Sequence, residues 1–342
     1  MLNKVISEEN IRKAKELMLR ADKTVIVTHQ VPDGDALGSS LGLYHFLKTI
    51  GKEKVQIIVP NDYPIFLRWM PDVKSIINAE RQQKKAERAI AAADLIFCLD
   101  FNMPQRIAPL DNPVQQSKAK KILIDHHLSP ADFCDVTISH PEISSTSELI
   151  YRFIVRMGMS EHIAKPCAEC IYTGMMTDTG AFTYNSGSAA IYYIIGELLQ
   201  KGIDKDAIYS MVYNRCQEGR IRLQGYLLYE KMRLFDEYRT SLITLSEQEY
   251  MQFNPERGDT EGFVNIPLSM EKVVFSAFIR EDKHIVRISL RSKGTFPTNR
   301  FAADIYGGGG HLNASGGRFS GSLEEAVKKF EDALPTYKDL LK

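Results

Sequence analysis

Three short runs, Val25–Thr28, Leu95–Leu99 and Ile122–Ile124, are apolar at nearly every position, with no polar alternation along them. A strand with one wetted face alternates polar and apolar residues, so unbroken runs of this kind predict strands buried on both faces. Helical patterns lie between them. Residues 7–20 place Ile11, Ala14, Leu17 and Met18 at helical spacing, with Ser7 as candidate N-cap ahead of Glu8 and Glu9. Ala36–Ile50 does the same with Leu37, Leu41, Tyr44 and Leu47, stops at Gly51, and is followed by a strand at Val55–Val59. Strands alternating with helices predict a parallel α/β sheet.

Ser145-Thr146-Ser147-Glu148 has the spacing of a capping box and predicts a helix over Thr146–Met157. Another helix, from about Ala164, delivers Asp178 into a Thr177–Gly180 turn. From Ser188 to about Tyr229 the pattern is wholly helical, broken at Gly202, and reads as a connector. Beyond it Ser241–Leu245, Val273–Ile279 and Ile285–Leu290 are strand-like and Glu324–Ala333 closes as a helix, which describes a smaller α+β domain. The expected division is therefore 1–187, 188–229 and 230–342. A chain of 342 residues, 44% of them hydrophobic, can fill two such cores.

Lys plus Arg equals Asp plus Glu at 43 each, so no global field draws in long duplex nucleic acid; a nucleic-acid substrate would be short. No apolar run approaches the roughly 20 residues that span a bilayer, and Met1-Leu2-Asn3-Lys4 leads into a charged helical pattern, so a soluble cytoplasmic protein is expected. Cys167-Ala-Glu-Cys170 lies inside a helical pattern and lacks the second pair that a zinc site needs, which favours helix packing.

Acidic and imidazole side chains stand where the apolar runs stop. His29, Asp33 and Asp35 follow the first strand, Asp100 another, and Asp125-His126-His127 the next, with Asp178 in its later turn. Ligands of open parallel sheets sit outside the carboxyl ends of the strands, which is where these residues fall. Singly, Asp33-Gly34-Asp35 is an ordinary polar turn, an Asp at a strand end a helix cap, and His45 a structural histidine inside a helix. Together, five carboxylates at one edge repel strongly, and two divalent cations would relieve that repulsion. One cation is expected on His29, Asp33 and Asp100, the other on Asp35, Asp100, His126 and Asp178, with Asp100 bridging. Such a pair activates a water as hydroxide for attack on phosphorus. Imidazole beside carboxylate favours manganese over magnesium, with magnesium or cobalt as substitutes.

A second group comprises Arg291-Ser292-Lys293-Gly294, the run Gly307, Gly308, Gly309, Gly310 ahead of His311, and Gly316-Gly317. Consecutive glycines admit close approach of a ligand to backbone N–H groups. The run is not a P-loop, because no Lys-Ser/Thr follows. A plain hinge would also use glycines, but His311 directly after them and Arg291 upstream point to an anion site.

These motifs resemble those of the DHH phosphoesterase superfamily in its branch with a C-terminal DHHA1 domain, and most closely the bacterial nanoRNase/pAp-phosphatase (NrnA-like) group. His29-Gln-Val-Pro-Asp33-Gly-Asp35-Ala-Leu-Gly-Ser matches the first motif, Asp100 the second, Asp125-His126-His127 the third and Asp178 the fourth. Arg291–Lys293 and Gly307–Gly317 match the DHHA1 signature. Val31 stands where the first motif usually has Asn, and Ser315 where the DHHA1 signature commonly has Ala, at positions that bear on substrate preference.

The resemblance implies a manganese-dependent phosphohydrolase with a cleft between a DHH domain and a DHHA1 domain. It implies an exonuclease that takes nucleotides from very short single-stranded RNA and also dephosphorylates 3′-phosphoadenosine 5′-phosphate (pAp). His127 would contact the scissile phosphate or its leaving group, with Asp125 and Asp100 beside it. Arg291, Ser292, Gly308, Gly309, Gly310 and His311 would hold the far end of the substrate. A homodimer is compatible with this reading. The rivals are a cyclic or linear dinucleotide (c-di-AMP or pApA) phosphodiesterase, then an inorganic pyrophosphatase or exopolyphosphatase, and outside enzymes a nucleotide-binding sensor, which would have lost ligands that this chain retains.

Overall fold

A computed structural model describes residues 4–256, 258–283 and 285–341. It divides the chain into a first unit ending at Arg215 and a second beginning at Cys216.

The first unit runs α1 (Glu8–Arg20), β1 (Lys23–Thr28), α2 (Gly34–Thr49), β2 (Lys54–Val59), β3 (Ile77–Asn78), α3 (Ala79–Ala92), β4 (Leu95–Leu99), α4 (Asp111–Gln116), β5 (Lys120–Asp125), β6 (Val136–Ser139), α5 (Thr146–Arg156), α6 (Lys165–Asp178), α7 (Ala189–Gln200) and α8 (Lys205–Tyr213). Its six strands form a sheet in the order β3-β2-β1-β4-β5-β6, with every pairing parallel. The unbroken apolar runs are explained by two cores. Ile26, Ile57, Phe97, Leu99, Ile122 and Ile124 face α1, α2, α5 and α6. Val25, Val27, Ile96, Cys98 and Leu123 face α3 and α4 on the opposite side.

Ser7 caps α1 as expected, its hydroxyl accepting from Asn10 N at 3.2 Å, and α2 ends ahead of Gly51, whose φ is +84°. The capping box expected at Ser145 is half formed. Ser145 Oγ accepts from Glu148 N at 3.0 Å, but the Glu148 carboxylate turns to Ser144 and Arg152 in place of the Ser145 amide. Cys167 and Cys170 are buried in α6, with the Cys167 thiol on the carbonyl of Gly42 at 3.2 Å. His45 is buried in α2, against the carbonyl of Pro71 at 3.3 Å.

Helices α2 and α6 approach closely because small residues line their contact. A Cβ on Gly38 would lie 2.7 Å from backbone atoms of Cys170 and Gly174, and one on Gly42 2.8 Å from Ile171. Of the stretch expected as a connector, α7 and α8 supply Ile191, Ile194, Leu198 and Ile208 to the first core, while Leu223 and Leu227 belong to the second unit.

That second unit runs α9 (Glu218–Tyr226), β7 (Met232–Phe235), β8 (Thr240–Leu245), α10 (Glu247–Met251), β9 (Phe275–Asp282), β10 (Ile285–Ser292), α11 (Thr298–Tyr306), β11 (Gly309–Gly310), β12 (Ala314–Phe319) and α12 (Leu323–Tyr337). The sheet order is β11-β12-β10-β9-β8-β7, antiparallel except for β8 beside β9. β10 buries alternate residues, and Val286, Ile288 and Leu290 join Phe301 and Phe330 of α11 and α12 in one aromatic-rich core. Among the described residues, no helix is long and apolar enough to cross a membrane.

Candidate metal centre

The strand order reverses between β1 and β4: the chain builds outward from β1 through β2 to β3, then returns to β1's other side. In an open parallel sheet a crevice opens at that reversal, outside the carboxyl ends of the strands. His29 leaves the end of β1 and Asp100 the end of β4, and His29 Nε2 lies 3.4 Å from Asp100 Oδ2. Asp100 takes a positive φ of 64°, uncommon for a residue with a side chain, so the backbone turns sharply where it leaves the strand.

The other sequence-predicted ligands converge on this point. Asp33 caps α2, its Oδ1 accepting from the amides of Asp35 and Ala36, both at 3.0 Å, and lies 3.8 Å from His29 Nε2. Asp35, the second residue of α2, is gripped by the start of α5: Thr146 N donates to Oδ2 at 2.7 Å and Ser147 N to Oδ1 at 2.8 Å. Asp100 Oδ1 accepts from the Thr146 hydroxyl at 2.9 Å. His126 Nε2 stands 3.8 Å from Asp35, 3.7 Å from Asp100 and 3.5 Å from Asp178, the last residue of α6. Asp125 is wholly buried; its Oδ1 receives His127 Nδ1 at 2.7 Å, while its Oδ2 has no hydrogen-bond partner among the described residues. Asp100 belongs to three candidate ligand groups, with His29 and Asp33, with Asp35 and His126, and with Asp125 and His127.

The residues present fit divalent cations. The imidazole-to-carboxylate separations of 3.4–3.8 Å are too long for good hydrogen bonds. Bonds of about 2.0–2.2 Å to one ion would set neighbouring ligand atoms roughly 3–3.5 Å apart, close to what is found. Both imidazoles are prepared for this. His29 Nδ1 bonds the carbonyl of Gln30 at 2.8 Å and His126 Nδ1 that of Ile143 at 3.2 Å, which commits each Nδ1 to its proton and turns each Nε2 toward the carboxylates.

The electrostatics of the cluster agree. Burial alone would depress the His29 imidazolium, but Asp100 and Asp33 outweigh it and hold its pKa near 10. Burial likewise opposes His126, and Asp178, Asp100 and Asp35 lift it to about 9. Asp35 is pushed well above the usual carboxylate range, by burial first and then by the charges of Asp100 and Asp178. Carboxylates packed this closely raise the proton affinity of their neighbours, a repulsion that bound cations would offset.

Thr146, Ser147 and Ile143 are functional neighbours that the sequence pattern disclosed only as a helix start. The contacts of Thr146 and Ser147 to Asp35 span more than a hundred residues of chain, while Ile143 meets His126.

In the second unit the expected group gathers at the end of β10. Ser292 Oγ donates to the carbonyl of Phe296 at 2.8 Å and accepts from Asn313 Nδ2 at 2.8 Å, so its hydroxyl orders the loop. Arg291 Nη1 donates to the carbonyl of Leu290 at 2.9 Å. The glycines have a structural duty. A Cβ on Gly308 would lie 2.0 Å from the carbonyl oxygen of Gly316, and one on Gly310 2.5 Å from that of Ala314. Close pairing of β11 with β12 therefore requires them, and it sets His311 in the turn that leads to Ala314, whose carbonyl accepts from His311 N at 2.8 Å.

Comparison with known proteins agrees with this geometry. Residues 23–175 match the N-terminal domain of the DHH family and residues 242–336 the DHHA1 domain. The chain belongs to the DHH family of phosphoesterases, in the form that carries a DHHA1 domain. A "bifunctional oligoribonuclease and PAP phosphatase NrnA" of Thermus thermophilus is 29% identical over 330 residues, 95% of this chain and 94% of that protein. The Bacillus subtilis protein of the same name is 25% identical over 86% of this chain and 88% of its own length. Among solved structures, an exopolyphosphatase-related protein from Bacteroides fragilis is 57% identical, with a TM-score of 0.94 over 99% of each chain. RecJ of T. thermophilus in complex with Mn2+ shares the fold, with a TM-score of 0.56 at 14% identity over 99% of this chain and 56% of that one.

Proposed function

We propose that the protein is a manganese-dependent phosphohydrolase that releases mononucleotides from short oligoribonucleotides and removes a phosphate from pAp. The observation that carries this reading is the convergence of His29, Asp33, Asp35, Asp100, His126 and Asp178 at the sheet's reversal point. Near full-length similarity to proteins named for those two activities supports the choice of substrate.

In this reading His29, Asp33 and Asp100 hold one cation and Asp35, Asp100, His126 and Asp178 a second. Two bound cations would lower the pKa of a water and offset charge on the phosphoryl oxygens. The chain's own groups do the rest. The Asp33 and Asp178 side chains remain 43% and 30% exposed, which leaves that side of the cluster for the substrate phosphate. Asp125 fixes the His127 ring through Nδ1, so the ring's other nitrogen can hold a proton for the departing oxygen. Arg291, His311 and the Gly308–Gly310 segment of the second unit bind the far phosphate or base, while Ser292 shapes their loop.

A second reading, cyclic dinucleotide hydrolysis, is favoured by 24% identity to the cyclic-di-AMP phosphodiesterase PdeA of Listeria monocytogenes, but this chain matches only 49% of that protein's length. The test is a manganese-supplemented assay on end-labelled RNA of two to five nucleotides, with pAp, cyclic di-AMP, pyrophosphate and polyphosphate run in parallel. Mononucleotides from the RNA together with phosphate from pAp are expected. Turnover confined to the cyclic dinucleotide or to the inorganic substrates would overturn the substrate assignment.

A further inference from the structure

We propose that residues 143–148 act as a positioning clamp for one of the two cation sites, the one that uses Asp35, Asp100 and His126, and leave the other site to its own local supports. The inference rests on the two-cation reading above.

Three of the proposed ligands, Asp35 of α2, Asp100 after β4 and His126 after β5, are held by this one short segment. The Ile143 carbonyl accepts from His126 Nδ1 at 3.2 Å. The Thr146 hydroxyl donates to Asp100 Oδ1 at 2.9 Å. The amides of Thr146 and Ser147 hold both oxygens of Asp35, at 2.7 and 2.8 Å. The other site shares Asp100 but meets it through Oδ2, 3.4 Å from His29 Nε2, and not through the oxygen that Thr146 holds; its His29 and Asp33 are supported by the Gln30 carbonyl and by the first amides of α2, within a few residues of themselves.

The clamp has its own lock. Glu148 is 2% exposed, and its Oε2 accepts from the hydroxyl of Ser144 at 2.6 Å and from its amide at 3.3 Å. Its Oε1 accepts from Arg152 Nε at 2.8 Å. A buried carboxylate paired with a buried guanidinium is costly unless its hydrogen bonds are filled. Here they are filled by groups that fix the peptide next to Ile143, so the ion pair spends its geometry on the His126 acceptor. A carboxylate anchored by fixed donors cannot swing between alternative positions, so the entropy of ordering Asp35 and Asp100 is lost on folding and not on metal binding.

The experiment is calorimetric titration of chelator-stripped, full-length protein with MnCl2, without substrate. Wild type is expected to bind in two steps. Thr146→Val should weaken one step about 10- to 100-fold, the range found when such supporting partners are lost, and leave the other within about twofold. Asp33→Ala should abolish the step that Thr146→Val spares, and so assign it. Thr146→Ser should restore wild-type behaviour, and Ser147→Ala, which keeps the amide, should match it. Thr146→Ala gives the same readout should the valine fail to fold, which circular dichroism of the stripped variants reports. Equal weakening of both steps, no weakening of either, or failure of Thr146→Ser to restore would overturn the clamp. A single step in wild type would overturn the two-cation reading and the clamp with it. Failure to cleave short RNA would bear on the substrate alone.

Discussion

His127 Nδ1 lies 2.7 Å from Oδ1 of Asp125, a carboxylate with no exposed surface, so the ring orientation of His127 is set from inside the protein. Asp125→Ala should therefore lower kcat on pAp by about 10- to 100-fold with little change in manganese affinity, because it frees the ring proposed to handle the proton. Loss of metal binding in parallel would place Asp125 among the ligands instead.

Asp100 is shared by three candidate ligand groups. Asp100→Ala is expected to cut kcat/KM by at least about a thousandfold and to weaken both manganese binding steps. Near-normal turnover would exclude a bridging role.

Val31 holds a φ of 53°, a conformation that costs a side-chain-bearing residue about 1–2 kcal/mol and that asparagine tolerates better. Its amide donates to Asn61 Oδ1 at 2.7 Å, a bond that any replacement except proline keeps. Val31→Asn should stabilise the protein by about 1 kcal/mol in urea denaturation. An unchanged or lower midpoint would mean that the valine side chain contributes packing that outweighs the strain.

Gly174 of α6 has no room for a side chain: its Cβ would stand 1.9 Å from Ser147 Oγ and 3.0 Å from Asp35 Oδ1. Gly174→Ala should cost about 1–3 kcal/mol of stability and also weaken manganese binding. Gly196 of α7 has nothing among the described residues within 4 Å of that position, so Gly196→Ala should be neutral or stabilising by up to about 1 kcal/mol. Equal effects of the two substitutions would contradict the close α2–α6–α5 contact.

Acid sensitivity should appear in the second unit. Burial alone would raise the Glu249 carboxyl, but Lys231 at 2.6 Å, the Ser246 amide at 2.9 Å and the Tyr226 hydroxyl at 2.7 Å outweigh it and hold the pKa near 2, against 4.5 ordinarily. A carboxyl depressed on folding contributes stability that is fully present above the unfolded value and is lost as pH falls through the folded one. The unfolding midpoint should therefore decline between about pH 4.5 and pH 2, and Glu249→Gln should flatten that decline. An identical pH profile in the variant would remove Glu249 from the acid response.

The strand ends and the acidic and imidazole residues gathered there were legible because burial on both faces of a parallel sheet leaves a clear run of apolar residues, and an Asp or His that ends such a run has one edge to occupy. β12 was not, since Ser315-Gly316-Gly317 lacks the branched residues of a strand and is shaped by the approach of β11 and β10. The spacing Gly34, Gly38, Gly42 carries meaning only once α6 lies against it. Glu148 read as half of a capping box because local spacing cannot reveal that Arg152 and Ser144 compete for its carboxylate.

The most direct test of the central claim is to strip the protein with chelator and follow cleavage of a labelled diribonucleotide as manganese is returned. No turnover is expected without metal, with recovery that tracks occupancy of the second ion and not the first, and no recovery in Asp100→Ala. Full turnover in chelator, or full recovery with one ion bound, would contradict the claim.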